Sequence, residues 1–254
     1  MKRSRLLVVC SLIAALAVIF GICAMIVSRL RGDSIRFGDR RYSAQEFFQD
    51  PRVAALAAAA AAGRLGEVDS LLSQGADLNY VGLFDYTPLM WTIESGGLKG
   101  FEYLLVRGAR LNVPNSSSLS AMALASGPAL SADYLELALK HGGDPNSVEA
   151  ALGDTPLFYA VRSGDIRRVQ LLLDAGAKID TRNKKEVTPL IECAFAGQYR
   201  CALLLLETGA NPRLKDRAGT DFIAAMQNDR GLPFWTPSYW WKRRVSALLT
   251  GSDR

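Results

Sequence analysis

Residues 154–180 have the sequence DTPLFYAVRSGDIRRVQLLLDAGAKID, and this stretch decides the fold. Thr155-Pro156 is typical of a helix start, because threonine caps the first turn and proline is tolerated at the first helical position. Gly164 interrupts the helical pattern, and the segment after it has apolar residues on one helical face. Gly176 then stands where a left-handed residue closes a helix. The stretch therefore predicts two short helices packed against each other.

The same pattern recurs along the chain. A glycine-led marker appears five times, with spacings of 33, 34, 34 and 33 residues. A second marker, Thr-Pro-Leu, runs in phase with it, and its last copy is degenerate. The first marker lies at Gly75, Gly108, Gly142, Gly176 and Gly209, and the second at Thr87, Thr155, Thr188 and Thr220. A helix pair this small cannot bury its apolar face alone, so neighbouring pairs must stack.

These units resemble ankyrin repeats of a bacterial, membrane-anchored protein. The resemblance is carried by residues 86–112, 154–180 and 187–212, and it covers about residues 51–251. It implies an all-α ankyrin-repeat solenoid of about six helix–turn–helix repeats joined by hairpin-like loops. Residues 116–143 depart from the pattern, because they lack Thr-Pro-Leu and contain a Gly-Pro pair, which predicts a short or bent first helix.

An uncharged run precedes the repeats. Residues 6–27, LLVVCSLIAALAVIFGICAMIV, are 22 residues without a charge, and as a helix they would span about 33 Å, close to the thickness of bilayer hydrocarbon. We expect residues 1–31 to be an uncleaved membrane anchor; a cleaved signal sequence is the alternative.

Orientation in the membrane is harder to predict. Positive-inside counting does not decide it, but the signal-like start favours a cytoplasmic amino terminus. We therefore expect a single-pass protein of the bacterial inner membrane with a periplasmic ankyrin domain. An ankyrin protein on a eukaryotic organelle membrane remains an alternative.

Residues 32–50 join the expected anchor to the repeats. Ser43 and Glu46 have the spacing of a capping box, in which each residue bonds to the other's backbone. We expect a linker with a short helix before Pro51.

Charge and composition give no support for catalysis or nucleic-acid binding. The net charge is +5, but residues 1–31 contribute five basic residues and no acid, so the remaining 25 basic and 25 acidic residues cancel. The chain has a single histidine, His141, no phosphate-binding loop and no cluster with metal-ligand spacing. We expect a protein that is not an enzyme and has no cofactor, metal, nucleic acid or small-molecule substrate.

Two cysteines in the fifth repeat have two interpretations. Cys193 and Cys201 lie four residues on either side of Gly197, so a helix pair would bring them opposite each other. In an exported domain they would form a disulfide if their Cα atoms came within about 7 Å. The alternative is that both fill ordinary apolar positions of the repeat.

The resemblance implies that partners bind at the hairpin tips and along the first helices. Most tips are polar, but residues 79–86, NYVGLFDY, are rich in aromatic and apolar side chains, which are typical of interfaces when exposed. We expect a partner-binding surface formed by Tyr80, Val81, Leu83, Phe84 and Tyr86, with Trp91, Glu94 and Arg162 on first helices. The alternative is that Phe84 and Tyr86 fold back onto the next repeat.

Three of the four tryptophans lie in residues 232–245, LPFWTPSYWWKRRV. A helix that starts at Thr236-Pro237 would align Trp241 with Val245, Leu248 and Leu249, which predicts a cap on the last repeat. Trp235 and Trp240 lie off this stripe, and we expect them to bind a partner. Membrane or nucleic-acid contact is the weaker alternative.

Two classes of function follow. The first is a membrane-anchored protein–protein interaction module that binds an envelope protein. The second is an immunity or inhibitor protein that neutralises a membrane-active or periplasmic toxin, such as a secreted effector enzyme.

Overall fold

The structure is a computed structural model that describes residues 34–37, 40–113, 120–128, 131–228 and 236–251. The expected anchor and Trp235 therefore lie outside the described residues. Within the described part, no helix is both long and apolar enough to span a bilayer. The chain divides into two compact units; the first ends at Arg107 and the second begins at Gly108.

The first unit begins with an antiparallel hairpin of β1 (Ser34–Phe37) and β2 (Arg40–Ser43). A short helix, α1 (Ala44–Phe47), follows directly. The Ser43 hydroxyl accepts a hydrogen bond from the Glu46 N–H at 3.3 Å, and the Glu46 carboxylate accepts one from the Ser43 N–H at 2.7 Å. The predicted capping box is confirmed. Sequence analysis does not predict the hairpin, whose short strands have no long apolar alternation.

Two helix pairs complete the first unit. They are α2 (Pro51–Ala61) with α3 (Leu65–Ser73), and α4 (Pro88–Ser95) with α5 (Leu98–Val106). Helix α2 packs against the other three helices, and α4 also contacts β1. Helix α5 approaches α2 so closely that a Cβ atom at Gly100 would overlap the carbonyl group of Ala60. The alanine-rich α2 makes this close packing possible.

The second unit stacks four helix pairs. They are α6 (Ala121–Ser126) with α7 (Asp133–Lys140), α8 (Pro156–Ser163) with α9 (Ile166–Asp174), α10 (Pro189–Phe195) with α11 (Tyr199–Glu207), and α12 (Phe222–Asn228) with α13 (Pro237–Thr250). First helices pack on first helices and second helices on second helices. Helix α6 has six residues where α8 has eight, as the Gly-Pro pair predicts.

The sequence predicts a threonine cap at the start of each first helix that has the Thr-Pro-Leu marker, and the structure differs from this at two helices. Thr87 and Thr188 accept hydrogen bonds from the backbone N–H three residues further on, at 3.3 and 3.2 Å. Thr155 makes no such bond although it also precedes proline. In the degenerate copy, the cap is Asp221 rather than Thr220, and its carboxylate accepts from the backbone at 2.9 Å.

The marker glycines all adopt the left-handed backbone that their positions require. Their φ angles are 86°, 93°, 83°, 87° and 103° for Gly75, Gly108, Gly142, Gly176 and Gly209. An L-residue with a side chain is strained in this conformation, so glycine is the residue that closes each second helix without cost.

The last helix covers the second unit incompletely. Helix α13 packs on α11, and Val245 is fully buried. Trp241 is half-buried, but Leu248 is exposed. The prediction that Leu248 packs on the last repeat together with Trp241 and Val245 is therefore wrong. Leu248 lies three residues after Val245, which places it about 60° around the helix from the packed face.

Cys193 and Cys201 are free, buried thiols. Burial raises the pKa of Cys193 well above its usual range and the pKa of Cys201 to about 11. Both thiols therefore stay protonated at neutral pH and are weak nucleophiles. This arrangement agrees with the alternative in which both residues fill apolar positions of the repeat.

The close approach of α5 to α2 gives the first prediction. We expect Gly100→Ala to lower the free energy of unfolding by about 1–3 kcal/mol, because the new methyl group overlaps the Ala60 backbone. Gly66→Ala is the matched control, since nothing lies within 4 Å of its Cβ position in α3. It should stabilise the chain by about 0.5–1 kcal/mol. Urea denaturation followed by tryptophan fluorescence measures both, and equal effects would contradict the close approach.

Candidate protein-binding surfaces

Residues 80–86 form a loop that presents three apolar side chains to solvent. Val81, Leu83 and Phe84 are 39%, 43% and 44% exposed. The loop contains a short 3-10 turn, Leu83–Asp85, in which Phe84 and Asp85 adopt left-handed φ angles of 53° and 60°. This backbone is costly for residues with a side chain, and it persists where surrounding contacts enforce it. We call these three exposed residues the apolar loop surface.

The other aromatic residues predicted for this surface are buried. Tyr86 and Trp91 have almost no exposed area, so neither is available to a partner, which corrects the expectation for both. The amino-terminal segment covers them. The Phe47 ring lies 5.2 Å from the Tyr86 ring and 5.5 Å from the Trp91 ring, measured between centroids, and the Phe48 ring lies 5.8 Å from Trp91.

Phe47 also supports the apolar loop surface. Its ring centroid lies 5.8 Å from that of Phe84 and 5.3 Å from that of Tyr42, and Tyr42 itself contacts Phe84 at 6.0 Å. Edge-on aromatic contacts of this kind contribute beyond the area that they bury. The strained loop is therefore held by side chains from the segment that sequence analysis treats as a linker. The adjacent Phe47-Phe48 pair is the signal that could have revealed this role.

Two more predicted residues flank the loop. Tyr80 is half-buried, and its ring centroid lies 6.4 Å from that of Phe48. Glu94 is exposed, and its carboxylate accepts a hydrogen bond from the Tyr86 hydroxyl at 3.4 Å. Burial and the nearby carboxylate raise the pKa of Tyr86 well above its usual range, so the hydroxyl remains a donor. Burial raises the pKa of Glu94, whose carboxyl group lies at the edge of the buried aromatic rings.

In the second unit, Arg162 is engaged within the fold. Its Nη1 lies 2.7 Å from Asp154 Oδ2, and its Nε lies 2.6 Å from Glu192 Oε1. Asp154 is fully buried and also accepts a hydrogen bond from Asn183 at 2.9 Å. Arg162 therefore joins α8 to α10 and neutralises a buried carboxylate. The sequence pattern predicts a surface position for Arg162 and does not indicate this structural role.

A second buried carboxylate lies in the loop before α8. Glu149 accepts a hydrogen bond from the Ser120 hydroxyl at 2.7 Å. Burial raises the pKa of Glu149 above its usual range. Burial, together with Glu149 and Asp154, also raises the pKa of Tyr159. These polar contacts fix the loop at the base of α8.

The second unit also has exposed apolar residues that the sequence pattern does not predict. Val148 and Leu152 are 68% and 49% exposed on the loop between the third and fourth repeats. Phe195, at the end of α10, is likewise exposed beside an open groove of about 500 Å3. The groove is lined by Ala194, Phe195, Ala196, Gly197, Thr220, Ala225 and Asn228. Isolated apolar residues in polar tips give no distinctive pattern in the sequence.

Trp240 is 58% exposed on α13, consistent with its position off the packed face. Trp235 lies outside the described residues. Among the described residues, no group of three or more histidine, cysteine or acidic side chains is arranged to hold a metal ion.

The aromatic packing gives a second prediction. Phe47→Ala removes a fully buried ring that contacts the rings of Tyr42, Phe48, Phe84, Tyr86 and Trp91, so we expect it to lower the free energy of unfolding by about 3–5 kcal/mol. Phe195→Ala removes an exposed ring and should change stability by less than about 0.5 kcal/mol. Thermal or urea unfolding compares the two variants. A near-neutral Phe47 variant would show that the amino-terminal segment does not hold the loop.

Arg162 gives a third prediction. Arg162→Gln leaves the buried Asp154 without its cation. We expect a loss of about 3 kcal/mol, at the lower end of the range for buried pairs because Arg162 is partly exposed. Arg167→Gln is the control, since Arg167 pairs with Asp133 and Glu136 in the open and should matter by less than about 1 kcal/mol. Equal losses in denaturant titrations would argue against a structural role for Arg162.

Comparison with known proteins identifies the repeats. A family model described as ankyrin repeats (3 copies) matches residues 122–216. Ankyrin repeat protein nuc-2 of Neurospora crassa is 33% identical over 157 residues, which are 61% of this chain and 14% of that protein. The human transient receptor potential cation channel subfamily A member 1 is 27% identical over 123 residues, 48% of this chain and 11% of that protein. The chain thus spans a small part of the length of these relatives.

Solved structures extend the likeness beyond residues 122–216. The ankyrin repeat protein EF0377 is 27% identical with a TM-score of 0.64, covering 77% of this chain and 97% of that one. A chain in the complex of the Bd0816 predatory endopeptidase from Bdellovibrio bacteriovorus with immunity protein Bd3460 is 23% identical with a TM-score of 0.62, covering 75% and 97%. The second match bears on the fold alone. The chain therefore contains ankyrin repeats and has the mostly helical ankyrin-repeat fold.

Proposed function

We propose that this chain is a non-enzymatic, membrane-anchored protein–protein interaction module that binds an envelope protein through the apolar loop surface. The observation that carries the proposal is the exposure of Val81, Leu83 and Phe84 on a loop with a strained backbone. Ankyrin repeats in general support binding to protein partners, and this surface has exposed apolar and aromatic side chains of the kind that anchor interfaces.

Rigidity makes this loop a better anchor than a mobile one. Phe84 rests on Phe47 and Tyr42, and the Gly82 N–H donates to the Tyr86 carbonyl oxygen at 2.8 Å, which closes the loop. Binding therefore does not have to order the loop, and the entropy that is saved adds to affinity. Strained backbone that surrounding contacts enforce is concentrated at functional sites. These features support a preformed binding surface.

Membrane anchoring is part of the same proposal and is supported by the uncharged run of residues 6–27. Residues 28–33 are six residues between this run and β1, and they span at most about 20 Å. The repeats would then stay near the membrane, with the ankyrin domain in the periplasm. Accessibility of an engineered surface cysteine to a membrane-impermeant reagent in intact cells tests this topology, and labelling only after lysis would contradict it.

The loop surface gives a fourth prediction. We expect Val81→Ser combined with Leu83→Ser to weaken partner binding by about tenfold to a hundredfold, because interface anchors contribute about 1–3 kcal/mol in total. Crosslinking in cells followed by affinity purification identifies the partner, and titration calorimetry with the purified pair measures the affinity.

Val106→Ser is the matched control, since Val106 is an exposed apolar residue on α5 in the same unit. It should leave the affinity unchanged. Unchanged affinity in the double variant, with the same unfolding curve as the parent chain, would exclude the apolar loop surface as the binding site.

The second candidate function is an immunity protein or inhibitor. One similar structure contains a peptidase in complex with an immunity protein, so this fold is compatible with that use. An inhibitor captures one enzyme with high affinity and abolishes its activity, whereas a scaffold binds without doing so. The activity of the captured partner, measured with and without the chain, discriminates between them.

A further inference from the structure

Helix α13 contains three consecutive basic residues and no acidic residue. Lys242, Arg243 and Arg244 follow one another on the helix, and no acidic residue lies between Asp229 and Asp253. Arg200, on the neighbouring helix α11, adds a fourth cation. Among the residues that the structure describes, neither Arg200, Arg243 nor Arg244 forms a salt bridge. This part of the second unit is therefore locally positive although the body as a whole is neutral.

The arginines lie on tryptophan rings. The Arg243 guanidinium carbon lies 5.7 Å from the Trp240 ring centroid. Arg200 and Arg244 each lie 5.8 Å from the Trp241 ring centroid. A guanidinium that stacks on a ring keeps its in-plane N–H groups available as donors to an anion. The stacking therefore holds cations in place without using their hydrogen-bonding capacity.

One side of α13 combines these cations with exposed apolar groups. Trp240, Arg244 and Leu248 follow each other at intervals of four residues, so they lie along the same face of the helix. All three are exposed, whereas Val245, on the face that packs against α11, is fully buried. We call Trp240, Arg243, Arg244 and Leu248 the α13 outer face.

We propose that the α13 outer face lies on an anionic membrane surface. Lipid phosphates accept hydrogen bonds from the two arginines, while the indole of Trp240 and the side chain of Leu248 enter the headgroup region. Basic residues beside tryptophan and leucine on one helix are typical of helices that lie in the membrane interface. Tryptophan in particular is enriched where lipid meets water.

Tethering favours a membrane over an acidic protein as the occupant. This step rests on the membrane anchoring proposed above, which keeps the repeats near the bilayer and so raises the effective concentration of lipid around every exposed face. At this high local concentration of lipid, even a weak contact between the α13 outer face and the membrane forms often. An acidic protein would instead have to bind from solution.

The test uses the full chain in vesicles whose lipids carry brominated acyl chains, which quench nearby tryptophan. The vesicles contain phosphatidylcholine alone or with a minority of phosphatidylglycerol. We expect quenching that is absent in Trp240→Phe, that requires phosphatidylglycerol, and that declines at high salt, since salt screens exposed charges. Arg243→Gln combined with Arg244→Gln should lower the equilibrium constant for contact with the anionic surface about twenty-five-fold, because each arginine near such a surface contributes about fivefold.

Arg213→Gln combined with Lys215→Gln is the matched control. It makes the same change in charge at exposed positions of a hairpin tip and should leave the Trp240-dependent quenching unchanged. Equal quenching in both kinds of vesicle, or none that depends on Trp240, overturns the proposal. Protein crosslinks to α13 in cells, without lipid quenching, would assign the face to an acidic protein and also overturn it.

The anchor is tested separately. Flotation of the full chain with phosphatidylcholine vesicles at high salt reports on residues 6–27 alone, because the α13 outer face does not bind under those conditions. Failure of flotation therefore counts against the anchor, and failure of Trp240-dependent quenching counts against the outer face.

Discussion

Every helix pair in this chain has an apolar face that it cannot bury by itself, and the rest of the architecture follows from that constraint. In the second unit, first helices cover first helices and second helices cover second helices. A repeat at the end of a stack has no neighbour on one side, so another element must cover its apolar face. In the first unit, α1 and the residue that follows it supply Phe47 and Phe48 to the aromatic core, and in the second unit α13 packs on α11.

Buried polar groups join two neighbouring repeats in the second unit. Arg162 pairs with Asp154 in its own repeat and with Glu192 in the next, and Asn183 completes the set. A buried ion pair contributes little net stability compared with an apolar core, but loss of one partner is costly. Such contacts therefore select one arrangement of adjacent repeats rather than strengthening the stack in general.

Periodic features of the sequence predict most of the fold. Two markers in phase locate the helix pairs, and the left-handed glycines and most threonine caps follow from local chemistry. Non-local packing limits the prediction of the site. Trp91 and Tyr86 have the composition of an exposed patch, but Phe47 and Phe48, more than thirty residues earlier, bury them. The three residues that remain exposed were within the predicted loop, and their binding role stays a prediction.

The hairpin pairs Ser34 directly with Ser43, the N-cap residue of α1. A mechanical pull on the chain ahead of Ser34 would therefore act on the open end of the hairpin and separate its strands one residue pair at a time, which is the geometry of least resistance. Because β1 also contacts α4 and its Ile35 is buried, the pull would reach α4 as soon as the strands began to separate. Tension ahead of Ser34 would therefore act on the hairpin and on the first helix of the second repeat together.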